Sequence, residues 1–60
     1  MDPEETLTQA EYLATLPPSR EHADEIREML SHYWHWRVRG GFEPENGDRR
    51  AKTLRAKINT

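Results

Sequence analysis

Two doublets of helix breakers, Pro17-Pro18 and Gly40-Gly41, fix how this chain of 60 residues can be divided. Proline donates no backbone hydrogen bond and pushes the residue before it out of the helical region. Glycine costs a helix interior conformational entropy and is favoured just past a helix end. Positions 19–39, between the doublets, hold neither residue. The pattern predicts one long helix, Arg20 to Arg39, with Ser19 as its N-cap and Glu21, Asp24 and Glu25 near its positive end.

At ~100° per residue, Ala23, Ile26, Met29, Leu30, Tyr33, Trp34, Trp36 and Val38 form one arc on that helix. The arc covers roughly 200°, about twice what packing against a single neighbour requires. A helix this broadly apolar has to touch two elements, or one element and a partner.

The flanking segments are shorter. Thr8 and Glu11 read as a capping box with Leu7 and Tyr12 as its hydrophobic staple. They predict a first helix over 9–16 with Tyr12, Leu13 and Leu16 inward, preceded by a flexible acidic tail, 1–6. Gly40-Gly41, Pro44 and Asn46-Gly47 mark a loop over 40–47, with Phe42 expected to fold back onto the long helix. Asp48 is expected to cap a third helix over 49–59, whose apolar stripe is Ala51, Leu54 and Ile58. The expected fold is all-α, a small three-helix domain spanning 1–60. The thin stripe leaves open whether the third helix docks or swings as a basic arm.

Only 33% of the residues are hydrophobic, an equal 33% are charged, and mean hydropathy is −1.12. A chain this short buries only about 60% of its unfolded surface, so it gains from a partner, a metal or disulfides. Cysteine is absent, which excludes disulfides, thiolate zinc sites and thiol nucleophiles. No apolar run approaches the roughly 20 residues that span a bilayer. The acidic opening Asp2-Pro3-Glu4-Glu5 lacks the basic-then-apolar order of a secretory signal. The expected location is the cytoplasm, or a host cytoplasm if the chain is phage-encoded; such short, cysteine-free, charge-segregated chains suit phage or bacterial accessory factors.

Charge is segregated along the chain. Residues 1–28 carry eight acids against Arg20 and Arg27, a net −6, whereas 29–60 carry seven bases against Glu43, Glu45 and Asp48, a net +4. The halves either attract each other or offer a basic surface to a polyanion.

Three constellations are candidates for function. The stretch His32 to Arg39 holds three of the five aromatics, and Trp and Tyr are the usual anchors of cores and interfaces. Either both tryptophans are core, or one is a partner-binding hot spot; Tyr33, Trp34, Trp36, Arg37, Val38 and Phe42 are the candidate residues. Arg49, Arg50, Lys52, Arg55 and Lys57 are suited to phosphates or to an acidic protein, or else pair with the chain's own acids. Glu25, Glu28, His32 and His35 share a helical face. A solvated polar face explains them, and the spacing lacks the zinc-protease pattern; a metal shared across an oligomer or a pH-sensitive contact is the functional alternative.

Leu7-Thr8-Gln9-Ala10-Glu11-Tyr12-Leu13-Ala14 is similar to the opening helix of many helix-turn-helix regulators. That family's glycine-bearing turn and compact recognition helix do not follow. Pro17-Pro18 does, and Glu21, Asp24 and Glu25 stand where bases would be read, so the likeness amounts to shared capping chemistry.

No Gly-x-Ser-x-Gly turn or P-loop is present. The sequence therefore points to a non-enzymatic interaction module, an adaptor, inhibitor or regulatory subunit. It would bind a protein partner or a second copy through the aromatic end, with no catalytic residues, metal, cofactor, membrane or small-molecule substrate. The competing expectation is a nucleic-acid-binding regulator using the basic helix.

Overall fold

A computed structural model describes residues 2–59 as three helices, α1 Pro3–Thr15, α2 Arg20–Val38 and α3 Gly47–Ile58, with no strand among them. Each helix packs on the other two, in a body of 33 × 18 × 17 Å. The all-α three-helix expectation holds. Met1 and Thr60, the ends of the expected 1–60 domain, lie outside the described residues.

The expected acidic tail is helical from Pro3. Residues 3–6 are the first turn of α1, not a flexible lead-in. Asp2 is the N-cap, its Oδ1 accepting the Glu5 backbone N–H at 2.8 Å, and Pro3 follows at the first helical position. Proline's fixed φ suits that position, and Glu4 and Glu5 complement the helix's positive end. This signal begins the helix before Thr8, so the expected capping box sits mid-helix. The earlier start also changes which face is inside. Leu7 and Ala10 are fully buried, Leu13 and Ala14 pack against the same core, and Tyr12 is turned outward at 59% exposure. The expected Leu7–Tyr12 staple is not made.

α2 begins as expected, with the Ser19 Oγ accepting the His22 backbone N–H at 3.0 Å. It stops one residue short of expectation. Gly40 takes φ +94°, the left-handed conformation in which a β-carbon is strained. The Gly40 N–H donates to the Arg37 carbonyl and the Gly41 N–H to the Trp36 carbonyl, each at 3.0 Å, closing the helix in a Schellman motif.

α3 starts differently from the prediction. Its N-cap is Asn46, itself left-handed at φ 53° and making no side-chain cap bond. The Asp48 backbone N–H, inside the first turn, donates instead to Glu43 Oε2 at 2.9 Å. The Asp48 carboxylate is drawn to α2, where an arginine and a tyrosyl hydroxyl satisfy it better than a backbone cap would. α3 docks rather than swings: Ala51 and Leu54 are buried with Leu7, Ala10, Ile26, Leu30 and Tyr33 in one core. Phe42 does not fold back on α2 and stands 90% exposed.

Opposite charges tie the halves together. Arg50 donates through Nε and Nη2 to both carboxylate oxygens of Glu11, at 2.9 and 2.6 Å, and through Nη1 to Glu4 at 2.8 Å. The Glu11 carboxyl lies below its ordinary pKa, chiefly through the Arg50 hydrogen bond, and Arg50 is raised by Glu11 and then Glu4. Part of the charge segregation is thus internal complementarity between α1 and α3.

Candidate functional site

The α2–α3 junction is built on Tyr33 and Arg37, which are one helical turn apart and so share a face of α2. The Tyr33 ring is 1% exposed, and its hydroxyl donates to Asp48 Oδ1 at 2.6 Å. Arg37 donates Nε to the same oxygen at 2.9 Å and Nη2 to Oδ2 at 3.1 Å, a forked pair. Its Nη1 donates to the Gly41 carbonyl at 2.7 Å. The Arg37 and Tyr33 hydrogen bonds hold the Asp48 carboxyl down at about 2. Burial, and then the bond to Asp48, push the Tyr33 phenol upward. Arg37 is raised, first by its bond to Asp48. A β-carbon on Gly47 would meet the Tyr33 hydroxyl and the Pro44 ring. The network therefore sets the path of the loop that carries Phe42.

This divides the six aromatic-end residues into two groups. Tyr33 and Arg37 are engaged inside the molecule. Trp34 and Trp36 are half-buried, Trp34 standing edge-on to the Tyr33 ring with centroids 5.1 Å apart. Gly41 lies so close to the Trp36 indole that a β-carbon there would overlap the ring. Val38 and Phe42 are 85% and 90% exposed on either side of the Gly40-Gly41 turn. The end of α2 thus presents two bare apolar side chains on a turn held by the Arg37 Nη1 bond to the Gly41 carbonyl and by the Gly40 and Gly41 N–H bonds back to α2.

The two tryptophans leave the core on opposite flanks of α2. Trp34 and Val38 lie on one, and Met29 and Trp36 on the other. On the second flank a groove of about 410 Å³ runs between α2 and Thr6 of α1, lined by Glu25, Glu28, Met29 and His32. It continues into a smaller one of about 170 Å³ that shares Thr6 and His32 and is bounded by Pro3 and Trp36. Sequence periodicity alone could not reveal it, because its α1 wall belongs to the turn read as tail. Another groove, of about 420 Å³, lies at the opposite end of the bundle among Leu16, Pro17, Ala23 and Ile58.

The basic candidates also divide. Arg50 is held by Glu4 and Glu11, and Lys57 lies by the α1–α3 groove, where its charge reaches Glu11. Arg49, Lys52 and Arg55 are exposed along the outer side of α3. Among the described residues, no group of three or more His, Cys, Asp or Glu side chains is placed to hold a metal ion, His32 and His35 included. No described helix is long and apolar enough to cross a membrane.

Compared with family models, curated proteins and solved structures, the chain matches none. Any functional reading therefore has to come from the residues themselves.

Proposed function

We propose that this chain is a small non-enzymatic protein-interaction module that docks through the turn closing α2, with Val38 and Phe42 as anchors and the Trp36 ring against Gly41 of that turn. One observation carries the reading: two large apolar side chains stand 85% and 90% exposed within five residues. Scattered single exposures need no explanation, but an aromatic and a branched aliphatic held out together at a structured turn suit a partner. The Arg37–Asp48–Tyr33 network lowers the entropy lost on docking, because it holds the turn in place beforehand.

The test is a double variant, Val38→Asp with Phe42→Asp. Both positions are exposed, so the fold should survive with stability changed by less than about 0.5 kcal/mol each. Wild-type and variant baits are compared by affinity capture, with the captured protein then purified and its binding measured directly. Sedimentation equilibrium covers the second-copy case. A partner or dimer that binds wild type and loses at least about tenfold in affinity to the variant supports the reading. Binding indifferent to both substitutions, with wild type monomeric, refutes it.

A second reading, nucleic-acid binding by α3, is favoured by the exposed row Arg49, Lys52 and Arg55. It is opposed by the acids of α2 and by a pI near 5.9. Fluorescence anisotropy with duplex and single-stranded nucleic acid at low salt decides it, since electrostatic binding is strongest there.

A further inference from the structure

The groove between α1 and α2 differs from the rest of the surface in pairing apolar walls with unpaired carboxylates of one sign. Met29 and Trp36 are half-buried along it, and Pro3 closes one end. Glu25 and Glu28 line the other end and make no ion pair among the described residues, whereas the acids facing α3, Glu4 and Glu11, are both held by Arg50. Glu21 and Asp24 continue the acidic row along α2, and only Asp24 has a cation, its own neighbour Arg27. No lysine or arginine lines the groove; His32 is its sole basic side chain.

From Glu25 to Trp36 the groove follows about 16 Å of α2, the length of three helical turns. We infer that it accepts a cationic amphipathic helix of a partner protein. That helix lays an apolar stripe on Met29 and Trp36 and points lysine or arginine at Glu25 and Glu28. Helix-in-groove recognition uses anchors at i, i+3, i+4 and i+7, and a three-turn groove holds one such set. Methionine suits such a wall because its unbranched side chain adapts to different apolar surfaces. Complementary charge then fixes orientation and speeds encounter. The second copy's own α3 is a poorer occupant, because its outward row of Arg49, Lys52 and Arg55 carries no large apolar anchor. This inference rests on the interaction-module reading and supplies the chemistry of the partner; Trp36 joins the groove to the exposed turn.

The probe is a synthetic amphipathic Leu/Lys helix of about 14 residues, long enough to overrun the groove, with a Leu/Glu peptide of the same pattern as control. Binding to the full chain is followed by amide and indole chemical-shift mapping and by titration at low and high salt. The expected result is saturable binding of the Leu/Lys peptide alone, with the largest shifts at Thr6, Met29, His32 and the Trp36 indole N–H. The double variant Glu25→Lys with Glu28→Lys should weaken it at least about tenfold. Glu5→Lys with Glu45→Lys, which changes net charge equally at exposed sites outside the groove, should weaken it far less.

Four results overturn the inference: no binding of the Leu/Lys peptide, equal binding of the Leu/Glu peptide, equal loss in the charge-matched variant, or shifts confined to residues outside the groove. A partner that depends on Val38 and Phe42, alongside a peptide that does not bind, overturns the groove inference while the interaction-module reading stands. Groove binding with no effect of Val38→Asp and Phe42→Asp on any partner upholds the groove and discards the turn.

Discussion

Replacing Tyr33 by phenylalanine keeps the buried ring and removes one oxygen, so it isolates the hydrogen bond that joins α2 to α3. The ring is 1% exposed and the hydroxyl lies 2.6 Å from Asp48 Oδ1. A hydrogen bond to a charged acceptor contributes about 1.5–3 kcal/mol net. The lower end applies, because Asp48 keeps both Arg37 bonds and its side chain stays 31% exposed to water. A loss of about 1.5 kcal/mol corresponds to about 12 °C in melting temperature for a domain of this size. It also corresponds to about 1.5 M in urea midpoint at a slope of about 1 kcal/mol per molar. Far-UV circular dichroism, by heating and by urea titration at neutral pH, reads both.

The pH dependence provides an internal control. Asp48 titrates near 2 in the folded chain, below its ordinary 3.8, so its contribution is complete above the unfolded value. That contribution is lost as pH falls through about 2. The Tyr33 bond is part of what lowers that carboxyl, so the gap between Tyr33→Phe and wild type should narrow on acidification from about 4 to about 2. A variant within about 0.3 kcal/mol of wild type at neutral pH, or a gap indifferent to acid, would mean that the hydroxyl does not stabilise the junction.

Other substitutions test other parts of the fold. Leu30→Ala, at a fully buried position, should cost about 2–5 kcal/mol and leave a chain of marginal stability largely unfolded by circular dichroism, while Phe42→Ala should melt as wild type does. Gly40→Ala puts a β-carbon on a φ of +94° and should lower stability by about 1 kcal/mol in urea titration; an unchanged midpoint would mean the turn relaxes freely. Arg50→Gln removes the cation shared by Glu4 and Glu11. It should cost about 1 kcal/mol, since the carboxylates remain partly exposed, and flatten the salt dependence of melting, which a salt series measures directly.

Local chemistry, where it acts within a few residues, is legible along the chain. Ser19 caps α2 through its side-chain oxygen, while Pro17-Pro18 separate α1 from α2 and Gly40-Gly41 close α2 through backbone geometry. The inward row Ile26, Leu30 and Tyr33 follows from helical periodicity, and so does the row Ala51, Leu54 and Ile58. The start of α1 was legible too, in Asp2 followed by Pro3 and two glutamates. Their capping chemistry outweighs their charge: it starts the helix ahead of Thr8, with Ala10 buried and Tyr12 turned outward.

Tertiary structure decided what depends on distant partners. Asp48 has the composition of an N-cap and is a carboxylate for Arg37 and Tyr33 instead, because docking brings a guanidinium and a phenol from α2 within 3.1 Å of it. Arg50 and Lys52 look alike in the basic helix; only the approach of α1 turns Arg50 into the partner of Glu4 and Glu11 and leaves Lys52 facing water. Phe42 and Tyr33 are both aromatic, yet one is 90% exposed and the other 1%. The chain by itself determined the start of α1 and both ends of α2, since those choices are made by adjacent residues, whereas Asp48 at the start of α3 is claimed by α2. Which charges pair, which aromatics are covered and where a groove opens were decided by how three helices share one small core.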